Sequence, residues 1–186
     1  MYKRQTSHLN SLYYEVALPA EHTGKYDFQS ILTHEIGHAA GFLSLATQTG
    51  TFQVQSGNAS AAYSTMLYTR YDSLLTNQEG QSIVNKAGNG NTAFTLGETL
   101  SLGDTGLTAY NPATWQQGSS MAHIDSASDP DALMQYSISP DTYHRTLTDG
   151  EMELMRSMGW KMVPEPGTST LSLLGLAVLA LRRRRC

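Results

Sequence analysis

The sequence predicts one α+β domain followed by a C-terminal tail. Helical periodicity and capping signals predict helices over 27–46 and 147–158, and the stretch between them is rich in Gly, Asn, Ser and Thr. Short strands are predicted in that stretch near 51–55, 82–86 and 92–96, while 68–78 is either a short helix or an extended insert. At 186 residues the chain can bury one core. We therefore expect a domain over 1–162 and a tail over 163–186.

The first helix carries the most informative motif of the chain, His34-Glu35-Ile36-Gly37-His38. Residues four apart lie on one face of a helix, so both imidazoles can bind one ion at about 2.0–2.1 Å, the usual zinc–nitrogen distance. Glu35 has the place of a general base that takes a proton from a zinc-bound water. The alternative is a helix with two exposed histidines beside a glutamate.

The residues around the motif favour zinc binding. Gly41 follows the second histidine and can adopt a left-handed backbone conformation that ends the helix. Apolar residues recur at helical spacing and predict one helix face packed in a core. These residues are Ile31, Leu32, Ile36, Ala39 and Ala40.

A catalytic zinc needs three protein ligands and one open position, so a third ligand must come from elsewhere in the chain. The pattern His-Glu-x-x-His-x-x-Gly-x-x-His would place it at Ser44, and serine is a poor zinc ligand. The remaining histidines are His8, His22, His123 and His144. We expect His123 to be the ligand, because it follows a Gly-Ser pair and a Leu-Met pair comes soon after it.

In these features the chain resembles the leishmanolysin-like branch of the metzincin zinc peptidases. In that branch a long insertion separates the helix from a third histidine, and a Leu-Met pair carries a methionine turn beneath the metal. The resemblance implies a metzincin-like fold in which His34, His38 and His123 bind zinc, Glu35 is the base and Met134 forms the methionine turn. The ending Leu147 through Trp160 is similar to the closing helix of the branch. Ile124 departs from the pattern, since an aromatic residue usually follows the third histidine.

Three further residues have alternative roles. Tyr136, two residues after the methionine, either binds the metal or donates a hydrogen bond to the oxyanion, as a tyrosine does in some metzincins, or it packs in the core. A gluzincin-type site would instead take Glu151 or Glu153 as third ligand. Glu151 follows Thr148 at capping-box spacing, however, and Glu153 is expected on a solvated helix face.

The resemblance, together with the C-terminal tail described below, implies a secreted or surface-sorted zinc endopeptidase that hydrolyses peptide bonds with a zinc-bound water and Glu35 as general base. Two alternatives stay open: a non-catalytic surface or matrix module on the same scaffold, and a zinc hydrolase of non-peptide amides. Nucleophilic catalysis has no support, because the single cysteine, Cys186, is terminal and no serine stands in a Gly-x-Ser-x-Gly context. The chain also has no phosphate loop and no dinucleotide fingerprint.

The C-terminal tail carries the second strong signal. Val163-Pro164-Glu165-Pro166-Gly167 precedes an apolar run over 171–181, and four arginines follow it. This pattern resembles a PEP-CTERM sorting signal, which exosortases read in Gram-negative bacteria. It implies an exosortase partner, transient membrane insertion and a location outside the cell or on its surface. The run is shorter than the roughly 20 residues of an ordinary span. The alternative is a buried C-terminal helix; the net charge of −4 argues against nucleic-acid binding.

The beginning of the chain leaves room for only a strand or two before the first helix, with 12–18 the best candidate. Metzincins place a twisted sheet there and bind substrate along its edge strand. A basic-then-apolar secretory signal is not evident either, although a surface-sorted protein needs one. We therefore expect the N-terminal sheet to be truncated and activity to belong to a longer parent protein.

Overall fold

The structure is a computed structural model that describes residues 12–13, 24–56, 64–88 and 92–161. Its elements are short, and long loops held by side-chain hydrogen bonds connect them. In chain order they are β1 (Leu12–Tyr13), β2 (Tyr26–Asp27), α1 (Phe28–Ala39), β3 (Val54–Ser56), β4 (Ser64–Met66), a 3₁₀ helix (Asp72–Leu74), β5 (Leu75–Thr76), α2 (Ile83–Gly88), β6 (Leu100–Leu102), β7 (Thr108–Ala109) and α3 (Asp149–Ser157).

The motif helix α1 begins at Asp27. The Asp27 carboxylate accepts hydrogen bonds from Ser30 N at 3.0 Å and Ser30 Oγ at 2.6 Å, and it forms a two-bond ion pair with Arg145 at 2.8 Å. Burial raises the pKa of Asp27, but hydrogen bonds from Arg145 and Ser30 outweigh burial and lower the pKa below its usual value. The cap is therefore ionised at neutral pH, which favours the helix N-terminus.

The predicted range of α1 was too long at its C-terminal end. The helix stops at Ala39 because Gly41 has a φ of +121°, as the glycine after the motif predicted. The chain then turns back, and Ala46 pairs with Phe52 in an isolated antiparallel bridge.

The predicted apolar face of α1 is not packed in the core. Ser30, His34 and Gly37 are the buried residues of the helix, whereas Leu32 and Ile36 are about half exposed. The buried side is thus that of His34, and Leu32 and Ile36 lie on the opposite side. The apolar residues do recur at helical spacing, but Leu32 and Ile36 form a surface that the described residues leave exposed.

Helix α3 confirms the predicted closing helix and its cap. Thr148 is the N-cap, and its hydroxyl and the Glu151 carboxylate form the reciprocal hydrogen bonds of a capping box. Glu151 is fully buried, and its carboxylate also reaches beyond the helix to a neighbouring loop.

The sheets are small, and one of them organises the site. β5, β6 and β7 form an antiparallel sheet in that order, with Leu75 opposite Leu102 and Leu100 opposite Ala109. Two single bridges extend it: Ala109 pairs with Ile124, and Ile124 pairs with Gln135. The residues after His123 and after Met134 therefore lie side by side. β1 and β2 pair in parallel, and β3 and β4 pair antiparallel.

Two predicted strands were wrong. Residues 83–88 form α2, in which Ile83 and Val84 pack into the core from a helix, so burial explains their apolar character without a strand. Residues 92–96 form no ladder, because the N–H groups of Ala93 and Phe94 both donate to the single carbonyl of Gly50. The predicted strand near 51–55 lies at 54–56, and 68–78 contains both the 3₁₀ helix and β5. Of the predicted strand at 12–18, only Leu12 and Tyr13 lie in the described part.

The core lies between the three-stranded sheet, α2, α3 and the loops around the motif. Its fully buried large side chains include Tyr71, Phe42, Phe94, Leu100, Leu133, Met134 and Leu154. In the described part of the chain no helix has the length and apolarity that a membrane span needs.

Candidate metal centre

Three histidines from distant parts of the chain meet at one point. The Nε2 atom of His38 lies 3.1 Å from that of His34 and 3.2 Å from that of His123, and the Nε2 atoms of His34 and His123 are 3.2 Å apart. His34 and His123 are buried, and His38 is partly buried. The structure thus brings together the three histidines singled out in the sequence, and within the described residues they form one potential metal-binding group.

The hydrogen bond made by Nδ1 determines which nitrogen of each ring carries the proton. Nδ1 lies 2.9 Å from the Leu133 carbonyl oxygen in His34, 2.6 Å from that of Phe42 in His38 and 2.8 Å from that of Ser119 in His123. A carbonyl oxygen only accepts hydrogen bonds, so each Nδ1 must carry the proton and donate it. In a neutral imidazole Nε2 then presents a lone pair. When all three rings are neutral, three lone pairs converge at one point.

The surroundings keep two of the rings neutral. Burial lowers the pKa of His123 to about 4. Burial also lowers the pKa of His34, although its hydrogen bond to Leu133 and the charge of Glu35 oppose the shift. Neutral imidazoles cannot satisfy one another through Nε2, because none of these atoms has a hydrogen to give. A cation at the point of convergence would remove that conflict.

The spacing fits zinc. Ligands at 2.0–2.1 Å around a tetrahedral ion are separated from one another by about 3.3 Å. The three Nε2–Nε2 distances of 3.1–3.2 Å are close to that value. Neutral imidazoles whose Nδ1–H groups bond to carbonyls are the usual arrangement of zinc-binding histidines. The residues present therefore fit a zinc ion with three protein ligands.

His34 is oriented by a turn that α3 holds in place. Glu151 Oε2 accepts from Leu133 N at 3.1 Å, and Glu151 Oε1 accepts from Met134 N at 2.7 Å. The same Leu133 residue presents its carbonyl oxygen to His34 Nδ1. Leu133 therefore connects the buried carboxylate of α3 to the imidazole of His34.

Met134 packs against the motif helix, and its role in a methionine turn stays a prediction. Its side chain is fully buried against Gly37. A Cβ atom added at Gly37 would overlap the Met134 sulfur. Only glycine therefore lets the sulfur approach the helix backbone between the two motif histidines.

His38 is oriented by the loop that follows the helix. The carbonyl oxygen of Phe42 accepts from its Nδ1, and the buried carboxylate of Asp72 holds the loop just beyond. Asp72 accepts from Ser44 Oγ at 2.5 Å, from Leu45 N at 3.0 Å and from Thr69 N at 2.8 Å. Ser44 thus contributes to the loop and is not part of the three-histidine group.

His123 is held beside β7. Tyr110 N donates to the His123 carbonyl oxygen at 2.8 Å, and Met121 N donates to the Tyr110 carbonyl oxygen at 2.8 Å. Met121 has a φ of +68°, a conformation that a non-glycine residue adopts only when its surroundings impose it. The chain therefore makes a tight, buried turn that directs His123 toward α1.

The two proposed catalytic side chains differ in their surroundings. Glu35 is exposed on α1 directly after His34, and its charge acts on that ring. Tyr136 is 39% exposed, so it is not an ordinary core residue. Its ring stacks on that of Tyr110 with centroids 3.8 Å apart and planes 5° from parallel. The structure places Tyr136 close behind the methionine turn but gives it no contact with the histidines among the described interactions.

The gluzincin alternative does not fit the geometry. Glu151 directs both oxygens to backbone N–H groups, and Glu153 pairs with Arg156 at 2.9 Å on the surface of α3. Among the described residues, the metal-binding group includes neither carboxylate. The capping-box role predicted for Glu151 is confirmed, and its second role at the turn was not foreseen.

Sequence reasoning also missed Asp72 and Ser119. The carboxylate of Asp72 and the carbonyl of Ser119 act through contacts between segments that are distant in sequence or irregular in structure. No local motif marks either residue. Asp72 had one weak signal: it is the only acidic residue between Glu35 and Glu79.

Comparison with known families supports the sorting signal predicted in the tail. The model of the PEP-CTERM protein-sorting motif matches residues 163–185. The chain therefore carries a C-terminal signal for export and surface anchoring in Gram-negative bacteria, read by the exosortase machinery. The chain matches no curated protein, and it matches no solved structure.

Proposed function

We propose that this exported protein is a zinc-dependent endopeptidase with a metzincin-like site. The observation that carries the proposal is the convergence of three Nε2 atoms at 3.1–3.2 Å, each from a ring whose Nδ1 is bonded to a backbone carbonyl. Three ligands of this kind leave one position open, which is typical of catalytic zinc and not of closed structural sites.

The site residues have separate tasks. His34, His38 and His123 would hold zinc, which when bound lowers the pKa of a water molecule and polarises the scissile carbonyl. Glu35 is exposed beside the ligands and would take the proton of the attacking water and pass it to the leaving amine. Tyr136, which is 39% exposed and follows Met134 by two residues, would donate a hydrogen bond to the oxyanion.

Replacing Glu35 tests the catalytic part of the proposal. Glu35→Gln removes the proton acceptor but none of the ligands, so hydrolysis of an unstructured protein such as casein should fall by about 10²–10⁴-fold. Zinc content should stay at the parent value. Glu153→Gln, an equally isosteric change of an exposed glutamate on α3, should leave both unchanged.

The same assay separates the alternatives. A chain that holds zinc but cleaves neither casein nor small amides would favour a non-catalytic surface module. Cleavage of small amides with proteins left intact would favour a hydrolase of non-peptide amides. Protein hydrolysis that survives Glu35→Gln would contradict the assigned base.

A further inference from the structure

An apolar cleft opens between α1 and α3. It has a volume of about 110 Å³ and is lined by Ile36 and Ala40 of α1, Leu147 before α3 and Met155 within it, together with buried residues at its floor. Ile36 is two residues beyond His34 and so lies on the far side of α1 from that ring. The lining includes Gly37, Phe42 and Leu133, which border the candidate metal centre, but none of the three histidines.

Exposed side chains continue this cleft along α1. Leu32 is 48% exposed and Ile36 is 57% exposed. Residues 32, 36 and 40 follow one another at four-residue intervals and form one stripe on the helix. We call this stripe, with Leu147 and Met155, the α1–α3 groove.

The chain leaves the described domain at the end of this groove. The Trp160 indole nitrogen donates to the Ala40 carbonyl oxygen at 2.8 Å. Nine residues, 162–170, separate the described part from the apolar run of the sorting signal and can span roughly 30 Å. The stripe from Ala40 to Leu32 is about 12 Å long. The apolar run can therefore return to the groove.

We propose that the apolar run of the sorting signal, 171–181, docks in the α1–α3 groove of its own chain before it enters the membrane. The run has the length of about 16 Å as a helix, similar to that of the groove. The tail is also opposite in net charge to the rest of the chain. The tail holds four arginines and one glutamate, so the 12 basic and 16 acidic residues of the chain leave 8 and 15 in residues 1–162, a charge of −7. This inference does not depend on the proposed enzymatic activity.

Docking would remove the apolar run from contact with water. An isolated helix of eleven residues is marginal in water, and a free apolar run favours aggregation. In the docked state the body covers the run. A bilayer competes by offering a larger apolar phase, so delivery to the membrane would release the tail to the exosortase.

Amide hydrogen exchange of the full chain, read by mass spectrometry in detergent-free buffer, tests the proposal. Peptides covering 171–181 should exchange about tenfold more slowly in the parent than in Ile36→Ser. Tyr68→Ser, which truncates a side chain of similar exposure outside the groove, should keep the protection. Both variants change exposed residues, and equal melting temperatures would show that both are folded.

Three results would overturn the proposal. Unprotected exchange of 171–181 in the parent would show that the groove is empty or covered by another part of the chain. Equal protection in Ile36→Ser would show that the run is ordered elsewhere. Protection that disappears on dilution would show that the groove belongs to an interface with a second copy.

Discussion

At the scale of single residues, the site depends on which nitrogen of each imidazole carries the proton. Three backbone carbonyls, those of Leu133, Phe42 and Ser119, make that choice by accepting from Nδ1. The assignment follows from hydrogen-bond chemistry, since a carbonyl has no proton to donate. The lone pairs that remain define where a cation would bind.

Gly37 shows how closely the backbone approaches the methionine turn. Gly37→Ala would raise intrinsic helix propensity by about 1 kcal/mol, yet its methyl group would displace the Met134 sulfur. We expect a chain that still folds but binds zinc about 10–100-fold more weakly, as for other residues that support metal ligands. Competition with a fluorescent zinc chelator measures this. Unchanged affinity would show that contact between the sulfur and the helix does not support the ligands.

At the scale of elements, α3 acts on the site through one side chain. The buried carboxylate of Glu151 accepts from Leu133 N, Met134 N and Thr148 N, so it joins the helix cap to the methionine turn. The turn in turn presents the carbonyl that orients His34. The capping box and the metal centre therefore share a group.

Glu151→Ala should remove both connections. Buried N–H groups left without an acceptor cost about 1–3 kcal/mol each, so we expect a loss of at least about 2 kcal/mol of unfolding free energy and weaker zinc binding. Urea unfolding with and without zinc measures both. Glu153→Ala on the exposed face of α3 is the control and should stay within about 0.5 kcal/mol of the parent. A Glu151→Ala chain as stable as the control would contradict the role assigned to the carboxylate.

The predictable elements are those with local signals. The motif helix and the closing helix were predicted because each has its cap, its periodicity or its terminating glycine within a few residues. α2 was predicted as a strand because a short apolar pair such as Ile83-Val84 fits either structure, and only tertiary packing decides. The end of α1 was placed too late because residues 42–46 continue the apolar pattern after Gly41 has already turned the chain.

At the scale of the whole molecule, the three candidate ligands could be chosen from the sequence by their motif contexts, but their supports could not. Asp72 reaches Leu45 across 27 positions, and Leu133 reaches His34 across 99. Such contacts depend on the complete fold and produce no periodic pattern in the sequence. The partner of the outward apolar face of α1 could not be predicted either, because the sequence shows an apolar stripe but not what covers it.

Zinc content of the purified full-length chain tests the central claim most directly. We predict one zinc per chain by elemental analysis, lost in His123→Ala because two histidines alone hold the ion weakly. Ser44→Ala should keep the ion, since Ser44 bonds to Asp72 and not to the metal centre. A parent chain without zinc after purification and zinc addition, or a His123→Ala chain that keeps it, would contradict the account.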